Sequence, residues 1–141
     1  MTVRISPRLA AIVAALPIRK GMRILEIGCG PGAAAREICA RYEDVSIVAI
    51  DRSAKAIAQA RANSAKEMST GRLQFRCVAI EDFVLEEGEE LFDLAFAVRV
   101  GALDGRHPEA GLAATRQLHK ALKKNGKLFV DGVRHEKADR P

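Results

Sequence analysis

The strongest chemical signal in the chain is the run Glu26-Ile27-Gly28-Cys29-Gly30-Pro31-Gly32. Glycines at alternate positions let a backbone turn sharply and approach a ligand with no Cβ atoms in the way. A β-like stretch, residues 23–27, precedes the turn, and a helix-forming stretch, residues 33–42, follows it. The first amides of such a helix point at the same spot. Asp51 stands 23 residues after Gly28. A spacing of about 20 is that of a carboxylate accepting hydrogen bonds from both hydroxyls of a ribose. The chemistry indicated is capture of a nucleoside-containing cofactor.

Those residues need elements to position them. Ser6-Pro7 opens a first helix, with Ser as N-cap and Pro at the first helical position. Leu9, Ile12, Val13 and Leu16 then form one apolar stripe that Pro17 stops. Strands are expected over 23–27, 46–50, 73–78, 92–98 and 127–131, and Ser53 is placed to cap a helix ending near Gly71. Residues 81–85 make at most a helical turn, and 86–90 read as a solvated acidic loop. Pro108 starts a helix reaching Lys124, with Leu112, Leu118, Ala121 and Leu122 as core candidates and Asn125-Gly126 as its left-handed stop. Alternating strands and helices require right-handed crossovers, hence a mostly parallel sheet covered by helices on both faces. Ligands of such α/β sheets bind beyond the carboxyl ends of the strands. Here those ends are Gly28, Asp51, residues 79–82, Val98-Arg99 and Asp131.

At this point the chain resembles the class I S-adenosylmethionine-dependent methyltransferases. The resemblance covers roughly residues 20–131 and rests on Leu25-Glu26-Ile27-Gly28-Cys29-Gly30-Pro31-Gly32, Val48-Ala49-Ile50-Asp51-Arg52-Ser53, Phe92-Asp93-Leu94-Ala95-Phe96 and Leu122-Lys123-Lys124-Asn125-Gly126-Lys127-Leu128. It implies a three-layer α-β-α Rossmann-like sheet of order 3-2-1-4-5 and S-adenosyl-L-methionine as cofactor. It also implies roles. Glu26 bonds toward the methionine ammonium, and the turn of Gly28, Cys29, Gly30 and Gly32 packs against the methionine and ribose. Asp51 holds the ribose hydroxyls, and Arg52 lies beside the adenine. Many members bond the adenine amino group with an acid that aligns here with Ala79. Glu81 or Asp82 substitutes for it, or a backbone amide near Ile80 or Glu81 does. The family's final strands find only ten residues after Asp131. The expectation is a short version lacking the C-terminal hairpin, with the fifth strand as a sheet edge.

Residues 98–107 follow the fourth strand, where members of the family approach the methyl group. Val98 begins this segment and is expected to contact the cofactor. His107 is a candidate base, or it packs at the start of the next helix. Arg99 either binds an anionic substrate or anchors Asp104. His119 and His135 are expected to face solvent. The segment has no proline or aromatic residue to hold a flipped base, which disfavours N-methylation of nucleic acids. The same glycine turn also satisfies the dinucleotide pattern Gly28-x-Gly30-x-x-Ala33. An NAD(P)-binding oxidoreductase would need a second mononucleotide half and a substrate domain. Glu26 would also face a pyrophosphate of its own sign.

Composition agrees with an ordinary globular domain: 141 residues, 48% apolar and 29% charged, with no run of the ~18 apolar residues of a membrane span. No signal peptide is read in residues 1–17. Three separated cysteines, Cys29, Cys39 and Cys77, offer neither a zinc cage nor a disulfide framework, so no metal is expected and a reducing cytoplasm fits. The net charge of +5 is concentrated toward the two ends, and with six aromatic residues and no Trp the chain lacks platforms for stacking single-stranded bases. The expectation is therefore one domain, 1–141: helix 1–19, core 20–131 and tail 132–141. It is a cytoplasmic methyltransferase acting on a small molecule, bound to neither nucleic acid nor membrane. The alternative is a non-catalytic cofactor-binding module or inactive paralogue. An uncovered fifth strand would favour a homodimer through that edge, unless residues 132–141 fold back along it.

Overall fold

A computed structural model describes residues 5–135. The elements run α1 (Pro7–Ala15), β1 (Arg23–Ile27), α2 (Ala33–Arg41), β2 (Ser46–Asp51), α3 (Ala54–Asn63), α4 (Ala65–Met68), β3 (Leu73–Cys77), a 3-10 turn (Ile80–Asp82), β4 (Phe92–Ala97), α5 (Pro108–Ala121), β5 (Leu122–Val130) and β6 (Val133–His135). The sheet order is β3-β2-β1-β4-β5-β6, parallel throughout except for the antiparallel pair β5·β6. This is the expected three-layer α/β architecture.

Alternation along the strands builds two cores. Ile24, Ile47, Ala49, Phe75, Leu94 and Phe96 point to one face, under α1, α2 and α3. Leu25, Ile27, Val48, Ile50, Ala95 and Ala97 point to the other, under α5 and the 3-10 turn. The two serine caps, of α1 and α3, form as read: Ser6 Oγ accepts the Leu9 amide at 3.2 Å and Ser53 Oγ accepts the Ala56 amide at 3.1 Å.

Several expectations are corrected. The helix from Pro108 ends at Ala121, and Leu122 is already extended (φ −89°, ψ 143°). Leu122 is buried opposite Phe92 in the β4·β5 ladder, so strand pairing overrides the local helical pattern. Asn125-Gly126 therefore lies in an irregularity of β5, where the register jumps from Leu122 to Lys127 across Phe92 and Leu94. Gly126 is not left-handed. Leu112 is 65% exposed: α5 buries Ala114, Leu118 and Ala121, and Leu112 lies off that stripe. His119 is half-buried rather than solvent-facing, and its Nε2 is buried without a partner.

Strand β5 is not a sheet edge. Asp131 and Gly132, both at positive φ (50° and 83°), reverse the chain, and β6 pairs Val130 with Val133 and Leu128 with His135. Two left-handed residues joining adjacent strands are what a two-residue hairpin needs, and Asp-Gly is among its favoured pairs. The short fold-back along β5 removes the premise of a dimer through that edge. The rest of the tail lies outside the described residues.

The acidic loop is only partly solvated. Glu89, with its side chain 8% exposed, accepts from both Arg23 and Arg76, including Arg76 Nη1 at 2.9 Å. Arg23 also stacks over Phe92 at 4.5 Å. Removing Glu89 leaves Arg23 without its carboxylate and Arg76 with only the exposed Glu86. Glu89→Ala should lower stability by about 2–3 kcal/mol, read as a shift of the urea midpoint.

Candidate functional site

The turn after β1 is knitted to the end of β2. Gly28 and Cys29 both donate to the Ile50 carbonyl, at 2.8 and 2.9 Å. Asp51 Oδ2 accepts the Gly30 amide at 2.9 Å, while its Oδ1 accepts the Ser53 amide at 2.9 Å. Each carboxylate oxygen has a second lone-pair site, so Asp51 fixes the turn and still has capacity for a ligand hydroxyl.

The glycines divide by what surrounds them. Gly28, Gly30 and Gly32 all have positive φ, at 75°, 53° and 88°. A Cβ on Gly30 would meet open space. One on Gly32 would stand 3.0 Å from Arg36 Nη1, 3.1 Å from Phe75 Cζ and 3.3 Å from Ala60 Cβ. Gly32 thus permits close packing of α2, whereas Gly30 keeps a surface clear. A Cβ on Gly28 would meet Val100 Cγ2 at 2.6 Å.

Glu26 lies beneath the turn on the same sheet face as Ile24, 4% exposed, and its Oε1 has no hydrogen-bond partner. Burial, and secondarily the charge of Asp51, push its carboxyl up to about 8, and Arg36 offsets this only in part. Arg36 donates to Pro31 O at 2.7 Å and Ser64 Oγ at 2.9 Å. Burial likewise pushes the Cys29 thiol up, so it is no nucleophile at neutral pH.

A cavity of about 830 Å³ opens at the carboxyl ends of β1, β2 and β4. Gly28, Asp51, Arg52, Ile80, Glu81, Arg99 and His107 line it together, as expected of one site. Glu26, Cys29, Gly30, Gly32 and Val98 are not on its wall. The first two are buried behind the turn. The 3-10 turn is closed by Asp82 N donating to Ala79 O and Phe83 N to Ile80 O, bonds that do not use the leading amides of Ile80 and Glu81.

The wall after β4 was legible only as a segment. Val100, Ala102 and Arg106 also line the cavity, as do residues 108–110. Asp104 is anchored by Arg106, with Nε 2.9 Å from Oδ1, and not by Arg99. His107 begins α5. Its amide donates to Gly101 O at 3.1 Å, and a Cβ on Gly101 would stand 2.4 Å from its Cδ2. The imidazole both packs against Gly101 and borders the cavity. Among the described residues no group of three potential ligands is arranged to hold a metal ion.

A parallel sheet in 3-2-1-4-5 order, a glycine turn after β1 and an acid ending β2 are features of the class I S-adenosylmethionine-dependent methyltransferases, shared in part with dinucleotide-binding folds. The methyltransferase domain family matches residues 18–140, and the chain belongs to it. It is 30% identical over 116 residues to a sterol 24-C-methyltransferase of Debaryomyces hansenii, covering 82% of this chain and 29% of that protein. It is 35% identical over 52 residues to a trans-aconitate 2-methyltransferase of Methylobacterium nodulans, covering 37% and 20%. Among solved structures, a SAM-dependent methyltransferase of Geobacter sulfurreducens in complex with S-adenosyl-L-homocysteine superposes with a TM-score of 0.68 at 21% identity, covering 89% of this chain and 48% of that one. The chain thus spans less than a third of the length of these curated relatives.

Proposed function

We propose that this domain binds S-adenosylmethionine and that the protein transfers its methyl group to a small-molecule acceptor. The observation that carries the reading is the buried Glu26 carboxyl beneath the glycine turn, with Oε1 lacking any partner. A cofactor ammonium completes it by favouring the ionised carboxylate; a pyrophosphate, which a nicotinamide dinucleotide would bring, offers it no cation.

The bound cofactor supplies a methyl group on a positively charged sulfur, open to in-line displacement by an acceptor lone pair. The chain's own residues position it. Glu26 takes the ammonium, directly or through water, and Asp51 accepts from the ribose hydroxyls. Gly28 and Gly30 leave room for close approach. Arg52 flanks the adenine, and the Ile80 or Glu81 amide donates to it. Asp51's existing bonds to Gly30 and Ser53 pre-orient its carboxylate, so little ordering is left for binding. Catalysis here is chiefly positioning, and a base is needed only where the acceptor must lose a proton. His107 is the candidate for that case.

The relatives' names, a sterol and a trans-aconitate methyltransferase, support a small molecule as acceptor. Unpaired cysteines at 29, 39 and 77 suit a reducing cytoplasm. No helix among the described residues is long and apolar enough to cross a membrane.

Calorimetry tests the reading. S-adenosylhomocysteine should bind and NAD should not. Asp51→Ala should weaken binding by about 1.5–3 kcal/mol, the range for hydrogen bonds to a charged group. Binding of NAD without response to S-adenosylhomocysteine would overturn it.

A further inference from the structure

We propose that the acceptor carries a single carboxylate and that Arg99 binds it. The inference rests on the cofactor reading above and names the acceptor's chemistry at the same site.

Arg99 lies just past β4 in a left-handed conformation, φ 58°, which side chains other than glycine adopt at a cost. Its backbone is tied at both ends. The amide donates to Asp131 Oδ1 at 2.7 Å, and the carbonyl accepts from Arg106 Nη2 at 3.1 Å. Asp131 is itself left-handed, and its own amide donates to Ala97 O at 2.8 Å. Arg106 is braced by Asp104. Four residues thus hold one strained backbone position, yet the Arg99 guanidinium has no hydrogen bond or ion pair among the described residues and lines the cavity. The other arginine on this wall is spent on Asp104 and the Arg99 carbonyl.

An unpaired guanidinium beside the place where a second molecule meets the cofactor selects an anion. A carboxylate matches its planar fork with two parallel hydrogen bonds. The charge count favours a monoanion over a phosphate: with Arg52 given to the adenine and Arg106 to Asp104, Arg99 is the one arginine of the lining left for an acceptor among the described residues, and Glu109 lies on the same wall. At about 830 Å³ the cavity is near the upper end of ligand pockets, roughly 300–1,000 Å³, which leaves space beside a cofactor. Val100 and Ala102 give the flanking wall an apolar character suited to a short hydrocarbon chain.

The test uses protein saturated with S-adenosylhomocysteine, with hexanoate, hexanamide and hexyl phosphate as probes read by ligand-observed NMR titration. Hexanoate should bind at least tenfold more tightly than hexanamide and more tightly than hexyl phosphate. Arg99→Gly should lose that preference for hexanoate, and Arg99→Lys should keep part of it. Glycine accepts the left-handed backbone, so Arg99→Gly should melt no lower than wild type, which separates loss of binding from loss of fold. Both variants should bind S-adenosylhomocysteine as wild type does. Hexanoate binding that is undetectable, equal to hexanamide, weaker than hexyl phosphate or unaffected by Arg99→Gly would overturn the proposal. Failure of wild type to bind S-adenosylhomocysteine would instead overturn the cofactor reading itself.

Discussion

Gly30→Val should abolish S-adenosylhomocysteine binding while the domain stays folded. A Cβ at this position meets no protein atom within 4 Å, so the fold itself does not exclude it. The cost to stability is the backbone term for a β-branched residue at φ 53°, of order 1–3 kcal/mol. The cost to binding is larger on the proposed reading, because the branched side chain would fill the open space beside the turn where the ligand is to pack. Gly32→Ala makes the opposite case. Its Cβ would press on Arg36, Phe75 and Ala60, so melting should fall first and binding only as a consequence. Thermal melts beside calorimetry on both variants separate the two roles. A Gly30→Val protein that binds normally would remove the ligand from this turn.

The second large effect belongs to Glu26. Its carboxyl titrates at about 8 in the folded protein, against an ordinary value of 4.5. The folded state therefore holds this proton more tightly than the unfolded chain. The contribution to stability is complete below about 4.5 and is lost as pH rises through about 8. Each pH unit of that gap corresponds to about 1.4 kcal/mol, so the loss is on the order of several kcal/mol. Glu26→Gln removes the titration. Urea denaturation should find the variant no more stable than wild type at pH 4 and clearly more stable at pH 9. The cofactor works the other way: an ammonium beside Glu26 favours the ionised form, so binding to wild type at pH 7 should release a proton. Calorimetry in buffers of different ionisation enthalpy reads that release. Glu26→Gln should show none and should bind at least tenfold more weakly, as loss of a charge-assisted bond requires. Parallel pH profiles of stability for the two proteins would refute the assignment.

Much of this was legible in the sequence because it is local. Glycine spacing, Ser caps at positions 6 and 53, and apolar runs ending in polar residues depend on neighbours along the chain. What escaped depends on distant partners. Nothing near Leu122 says that Phe92 will recruit it into a strand. Glu89 reads as one acid among several until Arg23, 66 residues away, is brought beside it. Leu112 is the more apolar residue, but packing against the 3-10 turn sets the phase of α5 by its alanines. The Asp131-Gly132 hairpin was available as a dipeptide signal, yet the following strand is only three residues long, too short to show an alternating pattern. In the site, the placement of Gly28 and Asp51 together at the ends of β1 and β2 could be read directly. The division of labour between Arg99 and Arg106 could not, because it rests on a loop closed by Asp131 from the hairpin turn after β5.

That closure also orders events during synthesis. Every residue proposed to hold the cofactor has been translated once the 3-10 turn is made, although their strands still await β4 at the centre of the sheet. Arg99 is different: its conformation is enforced by a side chain 32 residues downstream. At roughly 5–20 residues per second, that interval is seconds long on the ribosome. Through it the loop after β4 has only its own Arg106 bond to the Arg99 carbonyl, and the Arg99 amide lacks the Asp131 carboxylate that holds it in the finished fold. The Asp131 bond forms only when β5 is in place, so the same dipeptide that ends the parallel sheet is also the last fastener of the loop after β4.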